Sequence, residues 1–511
     1  MRRQETPGLL MRLPLFLLIW GVMSLAMYIP ASHAVVMDDH PASRAFFYTG
    51  TLGLITVTLI ALAIGGRPST HGPISLLLSL LATFAVLPAF LALPFHDTLK
   101  TTSFLNSYFD MVSAITTTGA DMFRNEPGRL VSSLHLWRAE VGWLGGLLMW
   151  VAASAILAPL SLGGFEVTAQ GEPGQGTLNR RDILRADPGR RLERAVVALV
   201  PIYVGLTAAV WVLLLMAGED SLVALCHAMS VMATSGISPV GGLQGAHAGV
   251  VGEIILFLFM FFALSRLTFS SDTVLRGHGQ LDRDPEFRIG ILLVVILPLL
   301  LFLRHWLAAY EIDAAENTAS ALASFWGAMF TVMSYLTTTG FESADWAGAQ
   351  QWSGLGTSGL ILMGLALMGG GVATTAGGVK LLRVYALYLN GLREMQRLVH
   401  PSSVSGAMGG NKRIQKDGAF IAWVFFMLFA LSFSVIQVVL AGLGVPFDQA
   451  LVLSIATLST TGPLIQSAAE SPIHLAELGD AAKGVLCAAM ILGRLETLAI
   501  VALFTPDLWR R

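Results

Sequence analysis

Four stretches of this chain carry the same residue types in the same order: Thr117-Thr118-Gly119, Thr234-Ser235-Gly236, Thr338-Thr339-Gly340 and Thr460-Thr461-Gly462. Each follows a short apolar segment, so the pattern is a fourfold internal repeat. The chemistry open to it is cation coordination. Glycine adopts dihedral angles that turn carbonyl oxygens toward an axis without a Cβ clash, and a ring of carbonyls replaces the hydration shell of an alkali cation. The neighbouring hydroxyls, from Thr116 to Thr118, Thr234 and Ser235, Thr337 to Thr339 and Ser459 to Thr461, add oxygens or stay out of the way. A single Thr-Thr-Gly is equally well read as a close-packing motif between membrane helices. Four copies, each at the end of a segment too short to span a bilayer, favour the ring.

The elements that would position these loops follow from hydropathy. The 511 residues are 54% hydrophobic and 13% charged, with a mean hydropathy of +0.69, which describes an all-α polytopic membrane protein. A net charge of −2 argues against nucleic-acid binding, which needs a concentrated basic face. Cys226 and Cys487 lie in apolar stretches and read as buried thiols.

Arg2 and Arg3 precede an apolar run from Leu13 to Val36. Its Ala31-Ser32-His33-Ala34 end imitates a signal-peptidase site, but the run exceeds a signal h-region and further spans follow at once. With Phe46 to Ile64 it forms an N-terminal hairpin over residues 1–70. Four units follow, over residues 71–165, 190–268, 285–390 and 415–511. Each has a long helix (Ile74 to Phe95, Arg194 to Met216, Phe287 to Leu307, Phe420 to Leu443). A short re-entrant helix comes next, with candidate caps at Ser103, Asp220 or Ser221, Ser320 and Asp448. The glycine loop and a closing helix complete the unit (Trp137 to Leu162, Val250 to Leu267, Gly354 to Leu382, Lys483 to Leu503).

That pattern makes ten spans with both termini inside. The distribution of positive charge agrees with it. Of 31 Lys and Arg, the outer side keeps only Arg44, Lys100, Arg124, Arg129, Arg138, Arg304 and Lys483, and Arg494 lies within the membrane. The outer loops carry acids instead, among them Asp38, Glu219 and Glu311. Each short helix would enter from outside and aim its partially negative C-terminal end inward, which suits a cation.

Over nearly its whole length the chain resembles the Trk/Ktr/HKT superfamily of potassium transporters, most closely the Trk-type membrane subunit. The resemblance rests on the four loops and on W-L-G-G at Trp143 to Gly146, D-P-E-F-R at Asp284 to Arg288 and G-G-G-V-A-T-T-A-G-G-V-K at Gly369 to Lys380. It extends to H-P at His400 and Pro401 and I-L-G-R-L-E at Ile491 to Glu496. It implies a potassium filter built by the four loops, with K+ as the transported ion and no covalent cofactor. It also implies a homodimer in the cytoplasmic (inner) membrane and a cytosolic nucleotide-binding, TrkA-like regulatory subunit. Glycine rather than serine at Gly119 favours potassium over sodium, while the unequal hydroxyl triplets leave room for looser K+/Na+ selectivity. Proton- or sodium-coupled symport remains an open alternative.

Two further features carry gate chemistry. A continuous helix from Gly354 to Leu382 would exceed a hydrocarbon core of roughly 30 Å. Gly369, Gly370, Gly371, Gly377 and Gly378 instead predict a break, leaving a polar loop with Thr374 and Thr375 beneath the filter. The family resemblance implies that this loop closes the cytoplasmic side. It is no phosphate-binding loop, since Gly377 is followed by Gly378, Val379 and Lys380. Arg494 sits mid-span, where an arginine is costly and faces a cavity or a partner. Glu496 lies on another helix face, so the choice is between a pore-facing cation and a buried pair with an acid elsewhere. The sequence contains no H-E-x-x-H, no G-x-S-x-G and no Cys/His metal spacing. His135 and His227 stand isolated. The expectation is therefore a transporter and not an enzyme.

Overall fold

A computed structural model describes residues 13–64, 72–124, 126–158, 188–265, 284–308, 318–400 and 416–496. Among them every regular element is helical. Among the described residues seven helices are long and apolar enough to cross a membrane: Leu15–Val36, His40–Ile64, Ile74–Thr98, Ser132–Leu157, Gly189–Met216, Pro285–Arg304 and Gly418–Gly442. They are of two kinds. Pro285–Arg304 and Gly418–Gly442 are each only 22% buried, whereas Ser132–Leu157 is 72% buried. The first kind leaves side chains such as Leu300 and Val438 exposed, a surface suited to lipid rather than water.

The short helices occupy the middle. They run Phe104–Ile115, Ser221–Ala233, Thr318–Leu336 and Phe447–Leu458. Three of them hold 12 or 13 residues and rise about 18–20 Å, well short of a bilayer core, whereas Thr318–Leu336 holds 19 residues and rises about 28 Å. Their C-terminal halves are fully packed, with every residue from Phe109 to Ile115 and from Val452 to Leu458 buried. Ser103 caps the first as its position predicts, its Oγ accepting from Asn106 N–H at 3.2 Å. Asp220 is the second N-cap but makes no side-chain capping bond. The expected caps of the others are displaced. Pro446 is the N-cap of the fourth helix, with Asp448 inside the first turn, where its charge suits the helix's positive end. The third begins at Thr318, ahead of Ser320.

Closing helices connect the units into a ring. The closing helix of unit one, Ser132–Ala152, packs on the short helix of its own unit and on that of unit two. Gly249–Met260 joins the second and third short helices, Ser358–Met368 the third and fourth, and Asp480–Leu495 the fourth and first. Four units therefore close cyclically in chain order. The motif glycines make this approach possible: a Cβ on Gly145 would overlap the Ile115 carbonyl, and one on Gly493 the Leu458 carbonyl. The two glycines occupy equivalent places in units one and four.

Among the described residues the closing helices of units two and three are shorter than their apolar runs predict. Gly249–Met260 ends in a 3-10 turn at Ala263, and Ser358–Met368 is preceded by an unexpected helix, Trp346–Ser353. Among the described residues length alone therefore identifies seven of the ten expected spans. Residues 497–503 of the last run lie outside the described residues, as do Arg2, Arg3, Glu311 and Pro401 from the sequence argument.

Candidate functional site

Each short helix ends in the same turn. Thr117, Thr234, Thr338 and Thr460 take φ values of 55°, 51°, 57° and 53°, a left-handed conformation that β-branched residues rarely adopt. All four stand two residues before a loop glycine. The turn is closed by the next residue, whose N–H reaches back five positions in a Schellman-like bond. Thr118 donates to Ser113 O, Thr339 to Ser334 O and Thr461 to Ala456 O, each at 2.8 Å, and Ser235 to Ser230 O at 3.0 Å. Left-handed non-glycine residues cost about 1–3 kcal/mol each and persist where their surroundings impose them.

The loops meet edge to edge. A Cβ on Gly119 would overlap the Ser235 carbonyl, one on Gly236 the Thr339 carbonyl and the Pro463 ring, one on Gly340 Pro463, and one on Gly462 the backbone of Gly119 and Ala120. Loop one therefore touches loop two, two touches three, three touches four, and four returns to one, where Gly462 N–H donates to Thr118 O at 2.6 Å. Gly119, Gly236 and Gly340 have φ of 71°, 64° and 83°, whereas Gly462 is outside the left-handed region. At Gly462 glycine is needed for close approach, not for its dihedrals.

The hydroxyls divide by position. Thr116 Oγ1 lies 2.8 Å from Thr118 Oγ1, Thr337 from Thr339 at 3.0 Å, and Ser459 from Thr461 at 3.2 Å. These outer pairs are turned back into their own loops. Unit two lacks the first member, since Ala233 stands there, and Ser235 pairs with Ser230 at 3.1 Å instead. The middle hydroxyls differ: Thr117 Oγ1 and Thr460 Oγ1 are buried without a hydrogen-bond partner, while Thr338 Oγ1 accepts from Gly377 N–H at 2.7 Å.

That last bond joins the ring to the glycine-rich segment. The break falls between Ser358–Met368 and Leu381–Val399, and its ends clasp each other, with Val379 N–H donating to Leu367 O and Lys380 N–H to Met368 O, both at 2.9 Å. Gly377 lies so close beneath the ring that a Cβ would overlap Ser459 O and Thr460 Oγ1. Thr375 Oγ1 donates to Met232 O at 3.1 Å. Arg494 Nη1 donates to Thr375 O at 2.7 Å, and its Nε and Nη2 are buried without partners. Glu496 pairs with Arg383 at 2.6 Å, whose guanidinium also lies 3.6 Å from the Phe425 ring centroid. Among the described residues no carboxylate lies within ion-pair distance of Arg494. A cavity of about 10 Å³ is lined by Thr234, Thr374 and Thr375 together with apolar and aromatic side chains such as Trp150, Tyr203 and Phe259, enough for about one water.

Several supporting residues escaped the sequence argument. Arg138, counted there as an outer charge, is buried between Asp110 (Nε–Oδ2 2.8 Å) and Asp121 (Nη2–Oδ1 2.9 Å), tying the first short helix to the exit of its loop. Glu253 accepts from Ala344 N–H at 2.7 Å and from Ser343 Oγ–H and Trp326 Nε1–H at 2.8 Å, linking units two and three. Lys483 Nζ donates to Asn106 Oδ1 at 2.9 Å, linking four to one. Glu286 of D-P-E-F-R accepts from Val372 N–H at 2.8 Å and so holds the glycine-rich segment. The signal available in the sequence was the isolated charge within an apolar stretch. Removing one member of a buried pair leaves the other uncompensated at a cost of about 3–5 kcal/mol. Arg138→Met is therefore expected to lower the unfolding temperature and folded yield of the solubilised protein. Unchanged thermal unfolding would show that the two aspartates do not depend on it.

The family model described as TrkH, cation transport protein, matches residues 83–510. The chain is 30% identical over 417 residues to the Trk system potassium uptake protein TrkH of Vibrio parahaemolyticus, covering 80% of each. It is 31% identical over 412 residues to that of Escherichia coli strain K12, covering 79% of each. TrkI of Halomonas elongata, also a Trk system potassium uptake protein, is 27% identical over 497 residues, covering 96% of this chain and 95% of that protein. The crystal structure of the potassium transporter TrkH from Vibrio parahaemolyticus superposes with a TM-score of 0.80 at 27% identity, covering 98% of this chain and 99% of that one.

Proposed function

Because the chain belongs to the TrkH family of cation transport proteins, we propose that it takes up potassium through the ring of four glycine loops. The observation that carries this reading is the cyclic contact of Gly119, Gly236, Gly340 and Gly462 with their neighbours, which brings loops from four quarters of the sequence around one axis. Non-helical backbone lies at membrane depth only where protein buries it or it lines a cavity. The C-terminal ends of the four short helices converge on the ring, and their partial negative charge favours a cation there.

In this reading Thr117, Thr118, Thr234, Ser235, Thr338, Thr339, Thr460 and Thr461 form the filter with the four glycines. The segment from Gly369 to Gly378 is the gate beneath it, held by Arg494 and Glu286. The chain lies in the inner membrane with both termini cytoplasmic, as an N-terminal hairpin followed by the four units bounded above, ten spans in all. Homodimerisation and a cytosolic nucleotide-binding regulator belong to the same proposal.

Tracer flux in proteoliposomes, with and without an imposed proton gradient, tests it. Potassium is expected to enter down its own gradient, faster than sodium, at a rate the proton gradient does not change. Accumulation driven by a proton or sodium gradient would assign the chain to the symporters, and absence of flux for both cations would overturn the reading.

A further inference from the structure

Each glycine loop continues into a residue two positions on, which stands where the loop leaves the ring: Asp121, Ser238, Glu342 and Leu464. The four meet different fates. Asp121 is neutralised by Arg138 at 2.9 Å, and its Oδ1 also accepts from Phe123 N–H at 2.7 Å. The Ser238 hydroxyl lies 2.8 Å from His227 Nε2 and donates to Gly242 O at 3.1 Å. Leu464 is buried and apolar. Glu342 is half-buried and, among the described residues, makes no ion pair or side-chain hydrogen bond.

Glu342 shares a cavity of about 40 Å³ with Arg124, Gly236 and Gly340, room for a few waters or one partly hydrated cation. Arg124 likewise makes no ion pair or side-chain hydrogen bond among the described residues. The two opposite charges thus line one small cavity without closing on each other, and two ring glycines line it with them. A carboxylate concentrates cations in such a cleft. An opposing guanidinium keeps that attraction weak enough for the ion to move on, as conduction requires.

We propose that Glu342 and Arg124 form an entry subsite for monovalent alkali cations on the loop-exit face of the ring, with Glu342 attracting the ion and Arg124 limiting its dwell. The subsite rests on the uptake reading above. Its position in loop three, and not in loop one, follows from the neutralisation of Asp121.

The test is potassium uptake into proteoliposomes as a function of external potassium. Glu342→Gln is expected to raise the half-saturating concentration about three- to tenfold, by more than it lowers the maximal rate per folded molecule. Arg124→Gln is expected to shift it the other way, and Glu342→Asp to restore it toward the wild-type value. Both shifts should shrink when an impermeant salt raises ionic strength. Unchanged half-saturation in both variants, with wild-type uptake intact, overturns the subsite. So does a loss confined to folded protein or maximal rate, which marks a structural role. Failure of the wild-type protein to carry potassium is a different result, and removes the uptake reading together with the subsite.

Discussion

Replacing Gly119 by serine is expected to reduce discrimination of potassium over sodium by about tenfold or more. Gly119 has a φ of 71°, and a Cβ there would overlap the Ser235 carbonyl of the next loop. A side chain forced into that backbone conformation costs about 1–3 kcal/mol, and 1.4 kcal/mol is a factor of ten in a population. On the proposed filter reading the loop would then leave the geometry that aims its carbonyl at the axis, and the ring would lose the fixed oxygens that distinguish one alkali ion from another. Gly340→Ser should act the same way, since its φ is 83° and its Cβ would meet the Pro463 ring within about 3 Å. The short helices remain anchored by Arg138 and Glu253, so both variants should still reach the membrane. Relative potassium and sodium flux in proteoliposomes is the measurement. Ratios equal to that of the wild type in both variants would remove these loops from the filter.

Arg494→Ala is expected to raise resting potassium flux per molecule by at least about tenfold and to weaken its dependence on a cytosolic regulator. Two effects act together. On the proposed gate reading the guanidinium would repel an ion coming down from the ring: unit charges 4 Å apart interact by about 4 kcal/mol at an effective dielectric of 20. It also donates to Thr375 O at 2.7 Å, which would hold the glycine-rich segment across the proposed path. Shortening the segment between Gly371 and Gly378 should raise flux as well, by removing the plug whose Gly377 N–H is bonded to Thr338 Oγ1. A merely structural Arg494 predicts something else, namely less folded protein and unaltered flux per molecule. Flux normalised to purified protein separates the outcomes, and normal or reduced values in both variants would defeat the gate.

Much of this arrangement was legible in the residues. The long apolar runs, the short segments after them and the capping serine at Ser103 are local properties: each follows from hydropathy or from a backbone bond within one turn. The break at Gly369 to Lys380 was legible for the same reason, because neither a glycine cluster nor a helix longer than the bilayer needs distant partners to be recognised. The lone positive charge at Arg494 was visible as a cost, though not its acceptor.

What spacing could not supply was the set of contacts between quarters of the chain. Nothing local says that Gly236 abuts Thr339, or that each closing helix reaches its own short helix and the next. The left-handed threonines were invisible because sterics disfavour that conformation for a β-branched residue, and only the closed ring of neighbours over-determines it. The displaced cap at Pro446 shows tertiary packing overriding local preference in the same way. The charges were decided last. The sequence put Glu496 beside Arg494 and left Arg138, Asp110 and Asp121 unrelated, whereas folding gives Glu496 to Arg383, Thr375 O to Arg494 and both aspartates to Arg138. A buried charge takes the partner that three-dimensional proximity offers, since desolvation penalises any that remains unpaired, and proximity is fixed by the packing of all four units rather than by position along the chain.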